Sequence, residues 1–270
     1  MPLARVPGGT YFGRVMHKVY EVVDTSKDLR EEVTRAIDIH VSSALLRPFR
    51  DQLIAGVIAS YLTPLGMPFN GMALADIDPS DRLSELDFEM SLANLSQGVL
   101  ASDIGKVLKD SLETNDLLYV YADSLSDSSF DIPLAGLLNG SIDAVIRVHG
   151  EDGSPRLFIT DYKTNRLDSD DDVSLIEAYA PEHLVAAMEH RHYPLQALLY
   201  GTAIYRMLRW RQPALNADEV IAGVAYFFVR GMVGIESPKD AHGMPYGVFQ
   251  WKAPVGLWEK LSNLFAGDRP

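Results

Sequence analysis

Cysteine is absent from the 270 residues. Its absence excludes disulfides, thiolate zinc sites, iron–sulfur clusters and a cysteine nucleophile. Lack of disulfides also fits a reducing compartment, so a cytoplasmic location is expected. No apolar run approaches the roughly 20 residues that span a bilayer. The N-terminal stretch MPLARVPGGTYFGRV lacks the apolar centre of a secretory signal. No membrane partner is expected. Positive charge is scarce: 24 Lys and Arg stand against 37 Asp and Glu, for a net charge of −13. That disfavours a protein that coats DNA non-specifically. It leaves room for a locally positive cleft, and for carboxylates that hold divalent cations. Internal repeats and low-complexity tracts are missing too.

What is present is ordinary for a globular chain, with 47% hydrophobic and 23% charged residues. Phe12, Val15, Val19 and Val23 recur at helical spacing and predict a helix over 10–24. One or two helices, broken near Pro48, are expected over 27–62. Residues 83–92 alternate as a strand, and 98–112 read as a helix. The Ser/Asp-rich and then Pro/Gly-bearing stretch 121–139 reads as loop. Helices over 175–190 and 194–210 precede strands over 220–231 and 246–253, and a final helix runs to about residue 265. Helices, strands, helices and strands in this order predict an α/β fold with a mixed sheet and an N-terminal helical part.

The stretch GSIDAVIRVHGEDGSPRLFITDYKTN, residues 140–165, reads as a β-hairpin, yet Asp143, Asp161 and Lys163 interrupt its apolar runs. If GEDGSP is the turn, His149 pairs with Arg156 and Asp143 falls opposite position 162. Alternation puts Asp143 with Val145 on one strand's face, and Ile159, Asp161 and Lys163 on one face of the other. Two adjacent carboxylates repel unless a proton or cation lies between them. Asp oxygens are hard ligands suited to Mg²⁺ or Mn²⁺. A lysine two residues away can orient a water or neutralise charge developing on a phosphate. The set suits metal-dependent phosphodiester hydrolysis, whereas an isolated D-x-K reads as a solvated pair.

This combination resembles the PD-(D/E)XK nuclease superfamily, and within it the C-terminal nuclease domain of RecB, the exodeoxyribonuclease V β subunit. GSIDAVI and ITDYKTN match the two core strands, GTYFGRVMHKVYE the helix that carries His17, and YPLQALLYGTAIYRML the Q-x-x-x-Y motif as Gln196 and Tyr200. IAGVAYFFVRGM and GVFQW match the end of the domain, so the resemblance spans almost the whole chain in order. It implies a restriction-endonuclease-like core in a single domain over 1–270. Residues 1–115 would be a helical part with one strand, and 116–270 the nuclease core. It implies that His17, Asp143, Asp161 and the Tyr162 backbone carbonyl hold the metal, and that Lys163 is catalytic. Gln196 and Tyr200, four apart on one helix face, would flank the site or contact DNA. Mg²⁺ is the implied cofactor, with Mn²⁺ as a substitute and Ca²⁺ as an occupant that does not support cleavage. The implied partners are DNA, single-stranded at the site, RecC- and RecD-like subunits, and a helicase motor absent from this chain. RecA docking and a standalone nuclease are the other implied roles.

Other features read more plainly. A helix histidine beside apolar positions is, by itself, a packed residue, and only the resemblance makes His17 a ligand. Glu21, one turn on, is expected to orient its ring. GVLASDIGK fails the Walker spacing. His190 and His192 read as an exposed helix junction, Glu85 and Glu89 as the exposed face of a strand, and 168–172 as a solvated acidic loop or a flap. YRMLRWR, 205–211, fits a grip on a DNA backbone and a solvated helix end equally well.

Overall fold

The structure is a computed structural model, and it describes residues 1–93, 98–128, 133–167 and 175–267. In chain order its helices are α1 (Thr10–Val22), α2 (Leu29–His40), α3 (Arg50–Leu62), α4 (Ala101–Lys109), α5 (Tyr119–Leu125), α6 (Pro181–His190), α7 (Tyr193–Arg211), α8 (Ala217–Val220) and α9 (Leu257–Ala266). The strands are β1 (Arg82–Ser91), β2 (Val99–Leu100), β3 (Pro133–Leu134), β4 (Leu137–His149), β5 (Pro155–Lys163), β6 (Ile221–Phe228) and β7 (Val248–Trp251).

Five strands form one mixed sheet in the order β1-β4-β5-β6-β7, with β5 and β6 parallel and the other pairs antiparallel. The parallel pair requires a crossover, and residues 164–220, with α6 to α8, supply it. Apolar cores cover both faces. Val145, Ile159, Val224 and Tyr226 pack with α4 to α7 and α9. Ala144, Ile146, Phe158 and Phe227 pack with α1, α2 and α3. β5 and β6 are buried from both sides and therefore read as near-continuous apolar runs. This is the α/β class with a mixed sheet flanked by helices, in keeping with a PD-(D/E)XK-like core.

Two expectations change. Residues 121–139 are not all loop: Tyr121, Ala122 and Leu125 bury one side of α5, and β4 begins at Leu137. Apolar anchors at i, i+1 and i+4 outweigh the Ser and Asp between them. The hairpin register shifts by one, because His149 pairs with Pro155 rather than Arg156. Gly150 N–H donates to the Ser154 carbonyl at 2.8 Å, and Gly153 takes φ 77° inside that loop. Ala144 pairs with Thr160, so Asp143 and Asp161 stand level.

Arg230, 1% exposed, lies just beyond β6 and ties the N-terminal segment to the sheet. Its guanidinium donates to the carbonyls of Leu3, Val6 and Thr164. It thereby fixes the segment ahead of α1 against the chain that leaves β5.

Candidate active site

The candidate site lies at the Lys163 end of β5, where helices from the two faces of the sheet meet. α1 brings His17 from one face, and α7 brings Gln196 and Tyr200 from the other. β4 is irregular here. Ile142 packs in the same core as Val145, three residues away, although strict alternation would separate them. Glu85, the β1 residue level with Asp143, takes φ 51°, a left-handed conformation uncommon for a residue with a side chain. Its carboxylate accepts from Ser141 Oγ at 3.0 Å. Glu85 therefore belongs to the neighbourhood of the site and not simply to an exposed face, while Glu89 is exposed as expected. No turn residue at position 85 announces the left-handed step. Gly140 has a direct steric reason. It pairs with Phe88, and a Cβ there would come within 2.9 Å of the Phe88 ring. That ring packs edge-on against Tyr200, with centroids 5.7 Å apart.

Asp143 links two elements. Its Oδ1 lies 3.0 Å from His17 Nδ1, and its Oδ2 accepts the Tyr162 backbone N–H at 2.8 Å. Burial opposes the charged imidazole, but the hydrogen bond and charge of Asp143 outweigh it, and the pKa of His17 is raised. Glu21 does not orient the ring as expected. Its carboxylate pairs with Lys18 at 2.5 Å, a cation one turn back on α1, and Asp143 occupies Nδ1 instead.

Asp161 is 2% exposed. Desolvation pushes its pKa up to about 6, against the pull of Lys163 and with the push of Asp143. Lys163 Nζ stands 2.8 Å from Asp161 Oδ1, yet that oxygen accepts no aligned hydrogen bond. We read the contact as charge pairing only, because hydrogen bonds weaken steeply with angle.

Lys163 itself is buried and held on several sides. It donates to Gln196 Oε1 at 3.0 Å, and its ammonium sits 3.8 Å from the centroid of the Tyr193 ring and 5.1 Å from that of Tyr226. Gln196 Nε2 in turn donates to Tyr200 Oη at 2.8 Å, and Tyr226 Oη donates to Gln196 Oε1 at 3.3 Å. Tyr193 is anchored by its hydroxyl donating to Asn165 Oδ1 at 3.0 Å. Burial and nearby carboxylate charge push the Tyr200 pKa up to about 12, so its phenol stays protonated and has a hydrogen to donate. Tyr193 and Tyr226 escaped the sequence reading. Their signal was weak: one lies three residues before Gln196, and the other lies inside an apolar strand.

The donor set is chemically suited to a hard divalent cation, and the buried Asp161 Oδ1, which accepts no hydrogen bond, has a lone pair to offer such an ion. As placed, however, Asp143 turns to His17 and Asp161 to Lys163. No group of three His, Asp or Glu side chains is drawn together as a ready cation cage among the described residues. Tyr162 sends its ring to the opposite face, stacked on Tyr20 at 4.2 Å, which leaves only its backbone at the site. His192 caps α7 in a left-handed conformation, with Nδ1 3.2 Å from Tyr121 Oη. The acidic run 168–172, with its flap reading, lies outside the described residues. None of the described helices is long and apolar enough to cross a membrane.

No family model matches the chain. Comparison with known proteins finds 40% identity over 275 residues to the RecBCD enzyme subunit RecB of Mycolicibacterium smegmatis, covering 100% of this chain and 25% of that protein. RecB of Mycobacterium tuberculosis is likewise 40% identical over 282 residues, covering 99% of this chain and 25% of that protein. RecB of Escherichia coli is 26% identical over 265 residues, 97% of this chain and 19% of that protein. The chain thus spans about a quarter of the length of the first two relatives.

Proposed function

This chain belongs to the RecB family, and on that premise we propose that it is a divalent-metal-dependent DNA nuclease, the cutting part of a RecBCD-type enzyme. One observation carries the reading. Asp143, Asp161 and Lys163 converge at one end of the sheet, with Asp161 buried and one of its oxygens without a hydrogen bond. A surface used only for docking, on a RecA-type recombinase for instance, gives no reason to bury a carboxylate at that cost.

In this reading Asp143 and Asp161 would hold Mg²⁺, with His17 and the Tyr162 carbonyl as further donors. When bound, the cation supplies Lewis-acid polarisation of the phosphate and a lowered pKa for water. The protein's own groups do the rest. Lys163 presents a fixed ammonium to the charge that develops on the phosphoryl oxygens during in-line displacement. Gln196 holds that ammonium in place through its carbonyl. Tyr200, protonated across the working range, offers a hydrogen bond to a phosphate oxygen. The products would carry 5′-phosphates. DNA strands would be delivered by a helicase motor outside these residues, with RecC- and RecD-like subunits as partners, in double-strand break repair and foreign DNA degradation.

The test uses end-labelled linear and circular single-stranded DNA with Mg²⁺, Ca²⁺ or EDTA. Cleavage is expected with Mg²⁺ and not with Ca²⁺ or EDTA, and loss of the circle would show endonucleolytic action. No cleavage with Mg²⁺ or Mn²⁺ would overturn the reading.

The ring under Lys163 gives a finer prediction. A cation–π contact in a desolvated setting contributes about 2 kcal/mol. Tyr193→Leu is therefore expected to lower kcat by about thirtyfold, with KM nearly unchanged. Tyr193→Phe keeps the π face and should stay within roughly threefold of the parent. Equal losses in both variants would assign the effect to the hydroxyl and Asn165 instead. Steady-state cleavage of one labelled oligonucleotide decides between them.

A further inference from the structure

The helix that carries Gln196 and Tyr200 continues well past them. On α7, Gln196, Tyr200, Ala203, Met207 and Trp210 follow at intervals of four, three, four and three, so they share one face of the helix. This stripe runs about 21 Å from the site to its far end. From Ala203 onward it forms one wall of a cleft of about 320 Å³, whose other wall is β1 from Leu86 to Ser91. Phe88 belongs to that wall and also packs on Tyr200, so the cleft begins where the candidate active site ends.

At the outer end stands Trp210, 76% exposed, with the Arg211 guanidinium 4.9 Å from its ring. The other two tryptophans are buried, Trp251 at 5% and Trp258 at 2% exposure. Arg209 and Arg211 are both exposed at this end of α7. Arg206 is committed elsewhere, to Ser262 and the Ser91 carbonyl. Asp87 and Glu89 are exposed on the β1 wall, which disfavours phosphates along that side and leaves them to the arginine side. An apolar cleft leading from a phosphodiester site to an exposed indole flanked by arginines matches the two parts of single-strand recognition. These are an aromatic face for a base and cations for the backbone.

We propose that the β1–α7 cleft is a subsite for the DNA strand being cut, in which Trp210 stacks on a base and Arg209 and Arg211 meet the adjoining phosphates. It rests on the nuclease reading for its substrate. At 3.4 Å per stacked nucleotide, Trp210 lies about six nucleotides from the scissile phosphate.

The experiment separates the two readings by leaving out metal. The 270-residue chain is titrated with a twelve-nucleotide oligothymidine in EDTA, and tryptophan emission and its quenching by acrylamide are followed. Quenched emission and protection of the exposed indole are expected. Trp210→Ala should weaken binding by about tenfold or more, and Trp210→Phe by much less, since stacking survives on the smaller ring. Arg209→Gln and Arg211→Gln should each lower the slope of log affinity against log salt by about 0.7. The Trp210→Ala variant should keep its kcat in Mg²⁺ and show a raised KM on long strands. Unchanged binding by Trp210→Ala, or DNA that binds without disturbing the indole, would overturn the subsite even if the chain cleaves. The cleft would then be tested for a peptide that adds to the free edge of β1. An intact indole response with no cleavage in Mg²⁺ or Mn²⁺ would overturn the nuclease reading and leave the subsite standing.

Discussion

Asp161→Asn is expected to lower Mg²⁺-dependent cleavage by about a thousandfold or more while the protein stays folded. Asparagine matches the shape of the carboxylate, so the packing around β5 is preserved. What disappears is the negative charge that would hold the cation. Lys163→Gln should fall by a similar factor, because the groups that orient its ammonium, Gln196, Tyr193 and Tyr226, carry no positive charge of their own. Asp143→Asn should lose metal affinity, and should also release His17, whose Nδ1 pairs with that carboxylate. Single-turnover cleavage with saturating enzyme measures these losses, and circular dichroism checks the fold. Full activity in either the Asp161 or the Lys163 variant would sink the assignment of the site.

The same substitution is expected to stabilise the metal-free protein. Burial raises the Asp161 pKa to about 6 from an ordinary 3.8. Below about pH 4 the group is protonated in both the folded and unfolded chains, and it contributes no penalty. As pH rises the unfolded chain ionises first, so the folded state binds more protons and its stability falls with pH. The loss accumulates between about pH 4 and pH 6 and persists above that range. It amounts to about 3 kcal/mol at neutral pH. Asp161→Asn removes it, so the variant should melt roughly 5 to 10 °C higher than the parent at pH 7.5 in EDTA. The difference should vanish near pH 4. Saturating Mg²⁺ should raise the Tm of the parent and leave the variant unmoved. A difference that does not depend on pH, or a variant less stable than the parent at neutral pH, would contradict the buried, penalised carboxylate. A carboxylate kept at a cost to stability is what a site built for a cation would carry.

Much of this site was legible in the amino-acid order because its centre is local. A two-stranded hairpin with glycines in its turn brings residues close in sequence to one end, and period-two alternation gives Asp161 and Lys163 a common face. The helix bearing His17 followed equally from its 3.6-residue pattern, and Gln196 and Tyr200 share a face by their spacing alone. Those arguments fail where a count of one decides. The turn closes between Gly150 and Ser154, so Asp143 stands level with Asp161 rather than with Tyr162. Nothing in the composition of GEDGSP distinguishes the two closures.

The sequence by itself determined the candidate set, because side-chain types and short-range periodicity suffice to place two acids and a lysine together. Only the tertiary structure decided how they are held. His17 turns to Asp143 and not to Glu21, Tyr193 and Tyr226 flank Lys163, and Glu85 takes a left-handed step beside Asp143. The His17 and Tyr193 contacts depend on packing α1 against one face of the sheet and α7 against the other, and the places of Tyr226 and Glu85 on the pairing of β6 with β5 and of β1 with β4. Contacts between residues 30 to 126 positions apart are set by burial and shape across the whole core, which no local pattern encodes.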